Sequence, residues 1–279
     1  GNGLMQKAVA NMALIQQLFQ SSAITASETA DDATLTALLE QNDKIFISIT
    51  YEASAMERAL LDFNANDFAL PHWRAFLQHA PEHSTQIHIG LGWAIAKRRI
   101  ALEQVEAAIE PQQLPRVLDG TGYCEGTFKQ RIAVKDMKTP DWLSDNLRRG
   151  YDQGLGRSLW YTAKAEPETL TNLITPFAEE RKQDLWRGAG IALAYVGGCD
   201  EETLRQLKTL SGLFAADLAV GVTLATLSRK AANTINAETE LTCQVICDAD
   251  LASVFSVAEQ KTVVDYFEWV DELKGRQRG

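Results

Sequence analysis

Apolar positions along this chain recur with two nested periods. The shorter one is helical. Leu204, Leu207 and Leu210 fall three residues apart, on one face of a helix. WRAFLQH (73–79), ALEQVEAAI (101–109) and LTNLITPFAEER (170–181) carry the same spacing. The longer period is about 33 residues. Segments starting at Gln86, Asp119, Asp152, Asp184 and Asp217 read QIHIGLGWAIA, DGTGYCEGTFK, DQGLGRSLWYT, DLWRGAGIALA and DLAVGVTLATL, at steps of 33, 33, 32 and 33. The fifth position is Gly90, Tyr123, Gly156, Gly188 and Gly221. The eighth is Trp93, Gly126, Leu159, Ile191 and Leu224. A weaker copy near Ala53 has Met56, Leu60 and Leu61 on its apolar face.

Breakers lie between the two halves of the units: Pro71, Pro81, Pro111, Pro115, Pro167 and Gly197-Gly198. Each unit therefore predicts helix A, a turn and helix B. One such hairpin cannot bury its apolar face alone, so neighbours must stack. The expected fold is all-α: a right-handed, tetratricopeptide-like α-solenoid of five or six helix-turn-helix repeats, though the tetratricopeptide signature itself is absent. The expected domains are an N-terminal helix and polar loop (1–50), a helical-repeat domain (51–248) and a C-terminal capping helix (249–279). Within the first, a helix over 6–19 leads into a polar loop over 20–36, and KIFISITY (44–51) leads into the first repeat helix. Residues 127–140 interrupt the period as an irregular insertion. Residues 233–248 and 258–273 read as helices.

A glycine inside a helix costs about 1 kcal/mol relative to alanine. A repeated cost asks for a repeated reason: close approach of neighbouring backbones, or a ligand lying against the helix. The pairs Gly90/Gly92, Gly120/Gly122, Gly154/Gly156 and Gly188/Gly190 do not make a dinucleotide fingerprint, which needs a preceding strand and a third glycine. Helix packing is the expected use.

Composition narrows the choice of partner. The chain is 46% hydrophobic and 23% charged, with a net charge of −10 and a pI near 5.0. An acidic chain argues against a nucleic-acid partner. No run of about 18 uncharged apolar residues predicts a membrane span. Cys124, Cys199, Cys243 and Cys247 read as buried thiols of a cytoplasmic protein. Gly1, Asn2 and Gly3 read as a scar or truncated start and are set aside.

The recurring Asp119, Asp152, Asp184 and Asp217 are the sharpest polar feature. As N-caps they would accept from the exposed N–H groups of helix A. Stacked along one face, they would hold a cation or a basic partner. Arg157, inside DQGLGRSLW, suits a buried bidentate pair with Asp119 or Asp184, or a ligand clamp. His79 and His83 have the spacing of zinc ligands, but Pro81 separates them. His88, within helix A, reads as a core or interface histidine. Cys124-Glu125 lacks an identifiable base, and Glu238 with Glu240 suits a solvated helix start. Trp93, Trp160 and Trp186 belong to the helix A rows.

Five segments also carry a family resemblance: HIGLGWAIA (88–96), DGTGYCEGTF (119–128), DQGLGRSLW (152–160), DLWRGAGIALAYVGG (184–198) and TELTCQVIC (239–247). Through them the chain is similar to the UnbL-type bacterial family of unknown function, associated with enediyne polyketide gene clusters. The resemblance spans about residues 51–247. It implies association with polyketide assembly and a bacterial cytoplasmic setting, and supplies no catalytic residues. Members often carry His where this chain has Cys124.

The expectation is a binding or scaffold module rather than an enzyme, with no cofactor and no metal. It would hold a protein partner or a hydrophobic small molecule, and self-association is a further expectation. The candidate ligand- or partner-binding residues are His88, Asp119, Glu125, Asp152, Arg157, Asp184 and Trp186. The alternative is an enzyme or tailoring factor of polyketide maturation that uses the Arg, Asp and Glu residues of the glycine-rich motifs.

Overall fold

A computed structural model describes residues 2–278, with side chains from residue 7 to 277. Gly1, part of the start set aside above, lies outside the described residues. Among those residues the chain is all-helical, 79% helix with no strand. The α-helices are α1 (Asn2–Glu28), α2 (Asp32–Leu39), α3 (Ile47–Asn64), α4 (Pro71–His79), α5 (Ser84–Arg98), α6 (Leu114–Phe128), α7 (Asp145–Thr162), α8 (Pro167–Ile174), α9 (Glu179–Val196), α10 (Glu201–Ser211), α11 (Ala215–Ala231), α12 (Ala237–Thr242), α13 (Leu251–Glu259) and α14 (Tyr266–Arg278). They form two compact units. One comprises residues 13–125 and 139–151; the other comprises 1–12, 126–138 and 152–279.

The first unit packs α5 between α3 and α6 through bare backbone. A methyl carbon added at Gly90 would lie 2.3 Å from the carbonyl oxygen of Glu52 in α3. At Gly92 it would lie 1.9 Å from that of Val117 in α6. Residues two apart point about 200° apart around a helix. A Gly-x-Gly pair therefore clears opposite sides, one for the preceding helix and one for the next. The second unit repeats the device. A methyl carbon added at Gly188 of α9 would collide with the Gln153 carbonyl in α7, and one at Gly190 with that of Leu218 in α11. Gly221 of α11 answers in kind, since a methyl carbon there would collide with the Arg187 carbonyl. Such approaches bring Cα–H groups onto carbonyl oxygens, contacts worth about 0.5–1 kcal/mol each.

Buried aromatic side chains from further helices complete each unit. Trp73 and Phe76 of α4 are fully buried in the first. In the second, α14 lays Tyr266, Phe267, Trp269, Val270 and Leu273 over Val220 of α11 and Ala258 of α13. The stretch Glu201–Ala231 is long and apolar enough to cross a membrane by length and composition, but 56% of its most apolar window is buried inside the protein. It is also two helices, broken at Gly212, whose φ is +51°.

Several expected elements differ. The opening helix runs on to Glu28, and α2 follows after three residues, where a polar loop was expected. Ser21, Thr25 and Ser27 return their hydroxyls to backbone carbonyls three or four residues back, so the polar stretch stays helical. ALEQVEAAI forms two short 3-10 turns, not a helix. The segment 170–181 is split, with α8 ending at Ile174 and α9 starting at Glu179. The insertion contains a π-helical turn, Arg131–Lys135.

Candidate functional site

The recurring aspartates do not cap helices. Asp119 is the sixth residue of α6, Asp152 the eighth of α7, Asp184 the sixth of α9 and Asp217 the third of α11. Each helix A begins earlier than the repeat frame suggested. Capping falls to Asp31, Asp43, Asp200, Asp250 and Asn236, which accept from backbone N–H groups two or three residues on. The row aspartates lie buried among the packed helices instead, each no more than 2% exposed.

In the second unit these buried acids meet buried cations. The Arg181 guanidinium donates from Nε to Asp152 Oδ2 at 2.9 Å and from Nη2 to Oδ1 at 2.7 Å. Its Nη1 donates to the Met137 carbonyl at 2.8 Å. A buried two-point bond of the kind expected at Arg157 is thus present at Arg181. Arg187 places Nη2 2.8 Å from Asp184 Oδ1 and donates from Nε to Gln153 Oε1 at 2.7 Å. The Tyr266 hydroxyl of α14 donates to the same Gln153 oxygen at 2.9 Å. Lys274 Nζ, also from α14, lies 3.0 Å from Asp217 Oδ1. Asp217 Oδ2 is buried without a hydrogen-bond partner. Burial pushes the Asp217 carboxyl up, against the opposing pull of Lys274. The net effect is a charged row inside the unit that fixes which turn of each helix meets which.

Of the expected site residues, Asp152, Arg157, Asp184 and Trp186 belong to this unit. Arg157 is half-buried and Trp186 buried. His88, Asp119 and Glu125 belong to the other unit. His88 is held edge-on to Trp73, with Nδ1 2.7 Å from the Ser84 carbonyl, so Nδ1–H donates. Burial pushes its pKa down, which leaves the ring neutral at physiological pH. Glu125 accepts from the Tyr151 hydroxyl at 2.7 Å. His79 Nε2 lies 3.0 Å from Thr36 Oγ1, while the His83 ring stacks on Tyr51. Arg181, Arg187, Gln153, Tyr266 and Lys274 escaped the sequence reading. The signal was local for two of them: Arg181 and Arg187 sit three residues before and after Asp184.

Cys124, Cys199 and Cys243 are buried as expected, while Cys247 is only half-buried. Burial pushes Cys199 up to about 12, so it stays protonated at neutral pH. Cys243 lies 3.2 Å from the Thr226 hydroxyl. Among the described residues, no group of three or more His, Cys, Asp or Glu side chains could hold a metal ion. A cleft of about 420 Å³ opens in the first unit between α1 and α2, lined by Ser21, Ser22, Thr25, Glu28, Gln41 and Asn42 among others. None of the seven expected site residues lines it.

The chain matches the family described as "Protein of unknown function (DUF1702)" over residues 5–268. It belongs to that family. The DUF1702 match runs across both compact units and takes in the glycine rows and the buried aspartates, and ends just inside α14, at Glu268. No curated protein and no solved structure matches the chain.

Proposed function

We propose that this DUF1702 protein is a helical-repeat scaffold, with hairpins stacked in the manner of an α-solenoid, that binds a protein partner on its outer surface. The supporting observation is the inward placement of its charged chemistry. Asp152, Arg181, Asp184, Arg187 and Asp217 are each 6% exposed or less, and they pair as Asp152 with Arg181, Asp184 with Arg187 and Asp217 with Lys274. Breaking such a buried pair costs about 3–5 kcal/mol, which suits a rigid framework. On this reading His88, Asp119, Glu125, Asp152, Arg157, Asp184 and Trp186 shape the binding surface from behind. The resemblance to the UnbL-type family points to a partner in polyketide assembly, in a bacterial cytoplasm.

The test is photo-crosslinking in a host that encodes the protein, with a benzophenone amino acid placed at exposed positions in turn. One protein captured at a contiguous set of positions, and displaced by unlabelled chain, supports the scaffold. Capture at no position defeats it.

One observation favours the alternative, an enzyme of polyketide maturation. Asp217 is a buried carboxyl with one oxygen unpartnered and its pKa raised, as in a group kept ready to give up a proton. Asp217→Asn and Arg157→Ala, folded as wild type but abolishing the host's product with no partner captured, would establish that reading instead.

A further inference from the structure

The segment that interrupts the repeat carries two of the chain's exposed large apolar side chains. Phe128, the last residue of α6, is 66% exposed, and Ile132, four residues on in the π turn, is 52% exposed. Single exposed apolar side chains are ordinary on a folded surface, but here two fall within five residues of a cluster of cations. Between residues 129 and 138 stand Lys129, Arg131, Lys135 and Lys138 against a single acid, Asp136. Arg131, Lys135 and Lys138 are exposed. The chain as a whole carries −10, so this is a basic island on an acidic protein.

The island is held firmly. Ala133 is fully buried and Val134 nearly so, anchoring the π turn from below. The Asp136 N–H donates to the Arg131 carbonyl at 2.8 Å, and the Lys138 N–H to that of Ile132 at 3.0 Å. Met137, at φ +55°, turns its carbonyl onto Arg181, which the buried Asp152 holds in place. π turns are rare and are found disproportionately at functional sites. A core charge pair thus fixes the geometry of an exposed apolar and basic turn.

We propose that Phe128, Ile132 and the basic residues 131, 135 and 138 form a docking surface for an acidic amphipathic helix of a protein partner. An amphipathic helix presents apolar side chains at i and i+4 with polar groups beside them, which is the complement that two exposed apolar residues among cations ask for. The surrounding cations complement a carboxylate-bearing flank and would speed encounter. A compact acidic helix meets the island alone. An extended anionic lipid plane would meet more of a chain that carries −10 overall, and charges repel within roughly 8 Å at physiological salt. This inference rests on the scaffold reading and names the partner's chemistry.

The probe is a fluorescein-labelled synthetic helical peptide with two leucines four residues apart and glutamates flanking them, titrated with the full chain by anisotropy. A scrambled peptide of the same composition is the control. Saturable binding is expected for the helical peptide only, weakening as salt is raised. Phe128→Ser with Ile132→Ser, and separately Arg131→Glu with Lys135→Glu, should each weaken it by about tenfold or more, a loss of about 1.4 kcal/mol. Both pairs are surface changes, and circular dichroism should show wild-type helicity. No binding, equal binding of the scrambled peptide, or unchanged affinity in folded variants overturns the proposal. So does binding to phosphatidylserine vesicles with none to the peptide, which assigns the turn to a membrane surface. A partner crosslinked at other positions while the peptide fails would leave the scaffold standing and remove only this docking site.

Discussion

The glycine rows of α9 and α11 and the π turn at 131–135 solve opposite problems. In the rows, side chains are removed so that two backbones touch, and the carbonyls of Gln153, Leu218 and Arg187 fill the space a methyl carbon would need. Nothing the size of a ligand fits there. In the turn, large side chains remain but are turned outward, and Phe128 stays two-thirds exposed. The difference separates the two uses of an apolar residue in this protein. In the glycine rows the apolar positions make core, whereas the turn divides them, with Ala133 and Val134 buried and Phe128 and Ile132 presented to solvent.

The largest expected effect attacks the one group that serves both regions. Asp152→Ala leaves the Arg181 charge buried and unpaired. It should cost about 3–5 kcal/mol in urea denaturation and loosen the 131–138 turn, read as faster amide hydrogen exchange there. Fast exchange at the turn without lost stability, or the reverse, would show that the two regions are uncoupled.

Next is Gly188→Ala, whose new methyl meets a backbone carbonyl rather than a flexible side chain. It should destabilise by roughly 1–3 kcal/mol. Gly275→Ala in α14 is its mirror, because nothing lies within 4 Å of the added atom. That change should stabilise, by up to about 1 kcal/mol from helix propensity. Equal effects at the two glycines would remove the packing account of the rows.

A smaller effect concerns pH. Burial lowers the His88 pKa, so its neutral form is favoured in the folded state. Its contribution is complete above the ordinary histidine value of about 6.5 and is lost as pH falls through the lowered folded value. His88→Phe, which keeps a ring against Trp73, should flatten that part of the stability–pH profile. A profile unchanged by the substitution would place the titration elsewhere.

Smallest of all is Phe128→Ser with Ile132→Ser. Exposed positions away from special features contribute within about 0.5 kcal/mol. A larger loss would mean the turn is part of a core after all, and the comparison would collapse.

The helical class and the glycine contacts were legible because both rest on local periodicity. Asp184 and its neighbours were visible as polar positions in an apolar row, yet their role was misread. The repeat frame was set by the aspartates, and an aspartate before an apolar run looks like a cap. The helices in fact begin one or two turns earlier, at Glu179 and Asp145, among residues with little periodicity of their own. Tyr266 and Lys274 could not be seen at all as partners. They reach Gln153 and Asp217 across 113 and 57 residues of chain, where no spacing rule applies. The 101–109 segment shows the opposite failure: its apolar spacing fits a helix, but two short 3-10 turns form between Ala101 and Ile109.

The paired glycines also set a limit on how such a chain can change length. Adding one residue within α9, between Arg181 and Gly190, would swing everything after it by about 100° around the axis. The smooth flank would then turn from α11, and a bulky side chain would take its place. Insertions are therefore tolerable only in the connections between helices, and lengthening is confined to segments like 127–140 that already lie outside the rhythm.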